Sequence, residues 1–253
     1  MSEERANILS QTSSEPQQSE EHPLLPKMSE LWLKTLKWQP DEQQQDRFQH
    51  LYAEVLEGNC RLNLTRITEP TEFWEKHIWD SIAGVVHLER CETGTEARAI
   101  DIGTGGGFPG LPLAIAFPSL HLTLLDSTRK KTLFLDGAIA DIGLTNAVTL
   151  TGRAETLGRE SPHAGSYDLA TIRAVGTAGL CAQYALPFLR SGGMAVLYRG
   201  QWTQNDLAEL EAILPAYGGT IAAIERFFSP LSNSVRHCIY LNVAKTDPSK
   251  PKV

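Results

Sequence analysis

The chain has 253 residues, 42% of them hydrophobic, and a formal net charge of −7 at pH 7. That is enough for one large α/β domain with a smaller appendage. No apolar run approaches the roughly 20 residues of a membrane span, and Cys60, Cys91, Cys181 and Cys238 form no CxxC pair, which argues against membrane insertion and a zinc site.

In chain order, residues 1–27 are rich in Glu, Ser and Gln, lack a secretory apolar core and predict a disordered acidic tail. The first 30 residues carry six Glu against Arg5 and Lys27, so more than half of the net charge sits there. Residues 28–92 predict a helical subdomain. A short helix holds Leu31, Leu33, Leu36 and Trp38. Asp41 caps a second, with Phe48, Leu51, Tyr52, Val55 and Leu56 as its apolar stripe and Gly58-Asn59 as its stop. Beyond the irregular stretch 61–68, Phe73, Trp74, His77, Ile78 and Ile82 fall at helical spacing.

From 93 to 245 the period changes. Strand-like runs at 97–102, 120–126, 146–151, 167–172 and 193–199 alternate with helical segments at 108–117, 128–142, 176–190 and 203–214. Such alternation predicts a parallel sheet with helices on both faces. Residues 218–228 and 235–244 predict a C-terminal antiparallel hairpin, and 246–253 a flexible tail. The expectation is an α/β, Rossmann-like class I methyltransferase fold: a mostly parallel sheet, a C-terminal antiparallel hairpin and an N-terminal helical extension.

Residues 99–110 read AIDIGTGGGFPG. An apolar strand runs into a loop stripped of Cβ atoms and then into Pro109, whose fixed φ suits a first helical turn. Such a turn offers backbone N–H groups to a ligand. Asp126 ends the next apolar run, 19 residues after Gly107, where a second strand places an acid on a ribose. Asp101, just ahead of the glycines, would repel a pyrophosphate and attract an amine. The pattern favours S-adenosyl-L-methionine (SAM) over a dinucleotide, with Asp101 on the methionine amine and Asp126 on the ribose. Asp126 or Ser127 also suits a cap for the helix that follows.

Three further segments each have a structural and a site reading. Ala154 and Glu155 follow the third strand, where an adenine sits or a helix simply begins. Arg173 ends the fourth strand, where a desolvated guanidinium needs a carboxylate or a nucleobase carbonyl. Lys76 and Asp80 stand four apart on one helix face, the spacing of an ion pair. Basic residues cluster at Arg61 and Arg66, at Arg129 to Lys131, and at Arg226 and Arg236, so a local face suits RNA on an acidic chain.

Taken together, Asn63-Leu-Thr65-x-Ile67-Thr68, His77-x-x-Asp80-Ser81, the Asp101-to-Leu113 glycine segment and Asp126-Ser127-x-x-Lys130-Lys131 resemble the RsmG (GidB) family. Arg153-Ala154-Glu155, Arg173-Ala174-Val175 and Arg236-His237 continue the likeness, which spans about residues 30–245. The tail before Met28 and the 157–166 loop depart from the family core. The resemblance implies transfer of a methyl from SAM to N7 of a guanosine in 16S rRNA, on naked RNA or a 30S particle, in the cytoplasm, without a metal. Carried over, the cofactor residues are Gly103, Phe108, Asp126, Ser127, Thr128, Ala154, Glu155 and Arg173. Asn63, His77 and Asp80 line the guanine pocket, and Arg173 orients either guanine O6 or the cofactor carboxylate. The alternative is a class I methyltransferase acting on a small molecule or another RNA.

Overall fold

The structure is a computed structural model and describes residues 22–88, 96–160 and 162–244. Residues 1–21 of the tail expected at 1–27, the tail expected at 246–253, the boundary at 92/93, and Cys91 lie outside the described residues.

Helix α1 (Ser29–Leu36) and helix α2 (Glu42–Leu62) open the described chain. Asp41 caps α2 as expected, in a reciprocal capping box with Gln44. The expected stop at Gly58-Asn59 is not one: α2 runs on to Leu62, and Asn63 caps it in the left-handed region with φ 48°. Gly58 lies against a neighbouring helix instead, since a Cβ there would stand 2.4 Å from the Phe134 ring. The tail boundary also moves. Leu25 is buried, its N–H donates to Gln49, and the Gln49 amide donates back to the Pro23 carbonyl, so residues 23–25 pack on α2.

One helical rod follows in three parts: α3 (Pro70–Phe73), a π-helical turn (Trp74–Trp79) and α4 (Asp80–Ala83). Trp32, Phe48 and Trp74 lie against one another, and the Trp79 indole donates to Thr35 at 2.9 Å. Burying such side chains contributes about 1.5–3 kcal/mol each.

The parallel sheet comprises β1 (Ala97–Ile102), β2 (Leu120–Asp126), β3 (Ala147–Thr151), β4 (Tyr167–Arg173) and β5 (Leu189–Arg199). Between them run α5 (Gly110–Ala116), α6 (Arg129–Ile142), α7 (Ala154–Leu157) and α8 (Ala178–Ala185), with α9 (Gln204–Ile213) after β5. The hairpin is β6 (Gly219–Phe228) and β7 (Val235–Val243). Strand order is β3-β2-β1-β4-β5-β7-β6, all parallel except for β7 against both neighbours.

Two elements start later or earlier than their patterns predict. Helix α5 begins at Gly110 because the glycine-rich segment 103–109 is a turn. Strand β5 begins at Leu189 because α8 ends at Ala185 in a short 3-10 turn. The N-terminal helices, α5 and α6 cover one face of the sheet, and α8 and α9 the other. The carboxyl ends of the parallel strands and the start of the antiparallel β7 therefore meet at one edge, where an open α/β sheet binds ligands.

Candidate active site

Two cavities open at that edge and share Gly103 in their walls. The smaller, about 220 Å³, lies beyond β1, β2 and β3 and is lined by Gly103, Asp126, Ser127, Ala154 and Glu155 among others. The larger, about 720 Å³, is roofed by the π-helical turn and floored by the ends of β4, β5 and β7.

The glycine loop turns through left-handed backbone, with φ 67° at Gly103 and 95° at Gly107, which L side chains resist. Asp126 holds it from below: Oδ2 accepts from the Gly105 N–H at 3.0 Å and Oδ1 from the Thr128 N–H at 2.8 Å. Ser127 and Thr128 are exposed at the start of α6, and Glu155 stands in the first turn of α7. Of the expected cofactor set, Gly103, Asp126, Ser127, Ala154 and Glu155 line the smaller cavity, and Thr128 stands outside its wall. Phe108 and Arg173 line the larger one.

Asp101 departs from expectation. Its carboxylate has no exposed surface: Oδ2 accepts from the Gly110 N–H and Oδ1 from the Thr171 hydroxyl, both at 2.9 Å. Burial pushes its pKa up against the hydrogen bonds it accepts. Asp101 ties β1 to α5 and β4 and has no free edge for a ligand amine. A Cβ at Gly110 would meet Leu124 and this carboxylate, so Gly110 is required by the knot itself.

In the larger cavity, His77 stacks on Phe108 with centroids 4.2 Å apart and planes 12° apart. Its Nε2 is 2.8 Å from the Thr65 hydroxyl and its Nδ1 3.4 Å from Arg173 Nη2. A guanidinium only donates, so Nδ1 is the acceptor and Nε2 carries the proton to Thr65. Burial first, then Arg173 and Lys76, lowers the His77 pKa to about 3. The ring is neutral and acts as a flat wall.

Asp80 does not pair with Lys76. Lys76 bonds back to Glu72, and the widened π turn, with the Asp80 N–H donating to the Glu75 carbonyl, carries Asp80 toward the sheet. There Oδ2 accepts from Arg173 Nη1 at 3.0 Å and Oδ1 from Arg236 Nε at 3.1 Å. Lys76, Lys131, Arg173, Arg199 and Arg236 line this cavity, with Asp80 the one carboxylate among its lining residues. Cys238 is also in the wall, but burial and then Asp80 raise its thiol far above the usual range, which keeps it protonated and a poor nucleophile.

Asn63 is not in this wall. It is exposed as the α2 cap, and its neighbours Leu64 and Ile67 line the cavity instead. Three features escaped the sequence reading: the π turn, Arg236 as a wall residue, and Ala174, held at φ 57° beside Arg173. Strained backbone of that kind costs on the order of 1–3 kcal/mol and clusters at binding sites. The basic pair Arg236-His237 at the start of a strand was the visible signal for the second.

A family model described as rRNA small subunit methyltransferase G, GidB, matches residues 44–229. The chain belongs to the GidB family. It is 54% identical over 232 residues to the "Ribosomal RNA small subunit methyltransferase G" of Trichormus variabilis, covering 90% of this chain and 95% of that one. The protein of the same name from Microcystis aeruginosa is 51% identical over 222 residues, covering 87% and 99%. A solved structure of a MtNAS mutant matches at TM-score 0.52 and 10% identity, over 85% of this chain and 81% of that one, a likeness of fold alone. The GidB match takes in α2, the π turn, the glycine loop and β1 to β6, and stops short of β7. Among the described residues no set of three His, Cys, Asp or Glu converges for a metal, and no helix is long and apolar enough to cross a membrane.

Proposed function

We propose that this GidB protein transfers a methyl group from SAM to N7 of a guanosine in 16S rRNA, on the RNA or the 30S particle. The observation that carries this reading is the pair of cavities meeting at Gly103, one suited to a nucleoside and one basic and flat-walled. The lining of the smaller cavity supports a place for the nucleoside end of the cofactor: a glycine turn, Asp126 at a strand end, and Ala154 and Glu155.

Bound there, SAM supplies a methyl on a sulfonium, an electrophile whose leaving group is a neutral thioether. Guanine N7 has a free lone pair at neutral pH, so no base has to remove a proton. The bond from N7 to the methyl carbon forms as the carbon–sulfur bond breaks, and the purine ends with the positive charge. The protein's work is placement, which converts binding into rate. Phe108 and His77 hold the plane of the base, and Gly103 keeps the wall between cavities thin. Lys131, Lys76 and the exposed Arg61, Arg66 and Lys130 serve as phosphate contacts, which position RNA without reading its sequence.

The test is labelled methyl transfer from SAM to small-subunit rRNA lacking 7-methylguanosine, followed by nucleoside analysis. The expected product is 7-methylguanosine at one position. Absence of transfer to naked rRNA and to 30S particles, with SAM still bound, would turn the reading to a small molecule or another RNA.

A further inference from the structure

The two arginines that share Asp80 in the base cavity are not equivalent. Arg173 is committed to the protein. Its Nη1 donates to the Lys76 carbonyl and to Asp80, both at 3.0 Å, its Nη2 faces His77, and its guanidinium lies over the Phe108 ring at 5.8 Å. Arg236 is held from one side. Its Nε donates to Asp80, its Nη1 to the Val235 carbonyl at 3.2 Å, and those are its hydrogen bonds among the described residues. Arg236 lines the cavity with one N–H on Nη1 and two on Nη2 outside these bonds.

We propose that Arg236 donates to the 6-oxo group of the target guanine, with Asp80 as the positioning residue that holds its Nε side. The inference rests on the guanine-N7 reading above and names the residue that selects the base. An unrestrained arginine meets guanine with two nitrogens, one on O6 and one on N7. That grip would occupy the lone pair that has to attack. With Nε on Asp80 the side-on fork is spent, and the proposed contact places one of the remaining end-on N–H groups on O6, so that N7 stays open.

The same arrangement rejects adenine. Its 6-amino group is a donor, and against Arg236 it would leave donor facing donor in a wall whose one carboxylate already serves two arginines. A site built on a buried donor discriminates strongly against a partner that lacks the acceptor. The setting is that of a base rather than a phosphate. Phe108, Tyr198 and Phe227 line the same cavity as Arg236.

The experiment is a double-mutant cycle. Small-subunit rRNA carrying guanosine or 2-aminopurine riboside, which lacks the 6-oxo group, is assayed with wild-type protein and with Arg236→Gln. Each combination is read as kcat/KM and as equilibrium binding of the RNA without SAM. Losing either partner is expected to lower kcat/KM by about tenfold to a hundredfold, the scale of a hydrogen bond to a charged group, and losing both should cost no more than losing one. Independent, multiplying losses would overturn the proposal. If Arg236→Gln does not fold, the wild type decides alone, since indifference to the missing 6-oxo group also overturns it. A wild type that makes no 7-methylguanosine on any rRNA refutes the N7 reading instead, so the two failures are distinct.

Discussion

At the scale of single residues, His77 ties function to pH. Its folded pKa is about 3 and its ordinary value 6.5. As pH falls, the unfolded chain takes up this proton first, so stability is lost from about pH 6.5 downward, at up to ~1.4 kcal/mol per pH unit. Urea unfolding should show the wild type losing about 2 kcal/mol more than His77→Gln between about pH 7 and about pH 5; equal losses would remove His77 as the source. Asp126→Ala should weaken SAM binding by at least about 1 kcal/mol by calorimetry, because it also releases the Gly105 N–H and hence the glycine turn. Unchanged affinity would take Asp126 out of the site. The strand-end acid was legible because a carboxylate after an apolar run has few other uses. Asp101 was misread for a physical reason: its spacing is that of a ligand contact, yet Thr171, 70 residues on, encloses it. Sequence spacing carries no information about such a long-range partner.

At the scale of elements, the βα alternation made all five parallel strands and the hairpin readable, because apolar runs of strand length bounded by Gly and Pro have few alternatives. Helix ends were less readable. Gly58 has the composition of a stop, but its missing Cβ makes room for Phe134 on α6. Gly58→Ala gains about 1 kcal/mol of helix propensity and should still destabilise, since overpacking costs about 1–3 kcal/mol. Denaturant midpoints would show it, and Phe134→Leu in the same chain should restore much of the loss. The π turn has no sequence signature of its own, yet it sets two contacts at once. It turns Asp80 toward the arginines, and it points Glu75, buried in the core, at the hairpin turn, where Oε1 accepts from the Leu231 N–H and from the Ser232 N–H at 2.8 Å. Glu75→Ala should therefore lower rRNA methylation while leaving SAM affinity intact, because it loosens the hairpin that carries Arg236. Equal damage to both, by turnover and calorimetry, would mean the latch serves the whole fold.

At the scale of the whole molecule, an acidic chain presents a basic cavity. RNA binding should weaken steeply when salt rises from about 50 to about 200 mM, as phosphate contacts require, while SAM binding changes little. Salt-insensitive RNA binding would argue against phosphate contacts on this face. The basic cavity is also assembled from far-apart chain. Asp80 waits 93 residues for Arg173 and 156 for Arg236. Contacts that distant in sequence close late in folding, after loop entropy has been overcome. Strand β7 is inserted between β5 and β6 and follows both in the chain. A chain cut before residue 235 keeps every residue that lines the smaller cavity and loses Arg236, His237 and Cys238 from the larger. The proposed base contact thus hangs on a single strand, and truncation before residue 235 should abolish rRNA methylation.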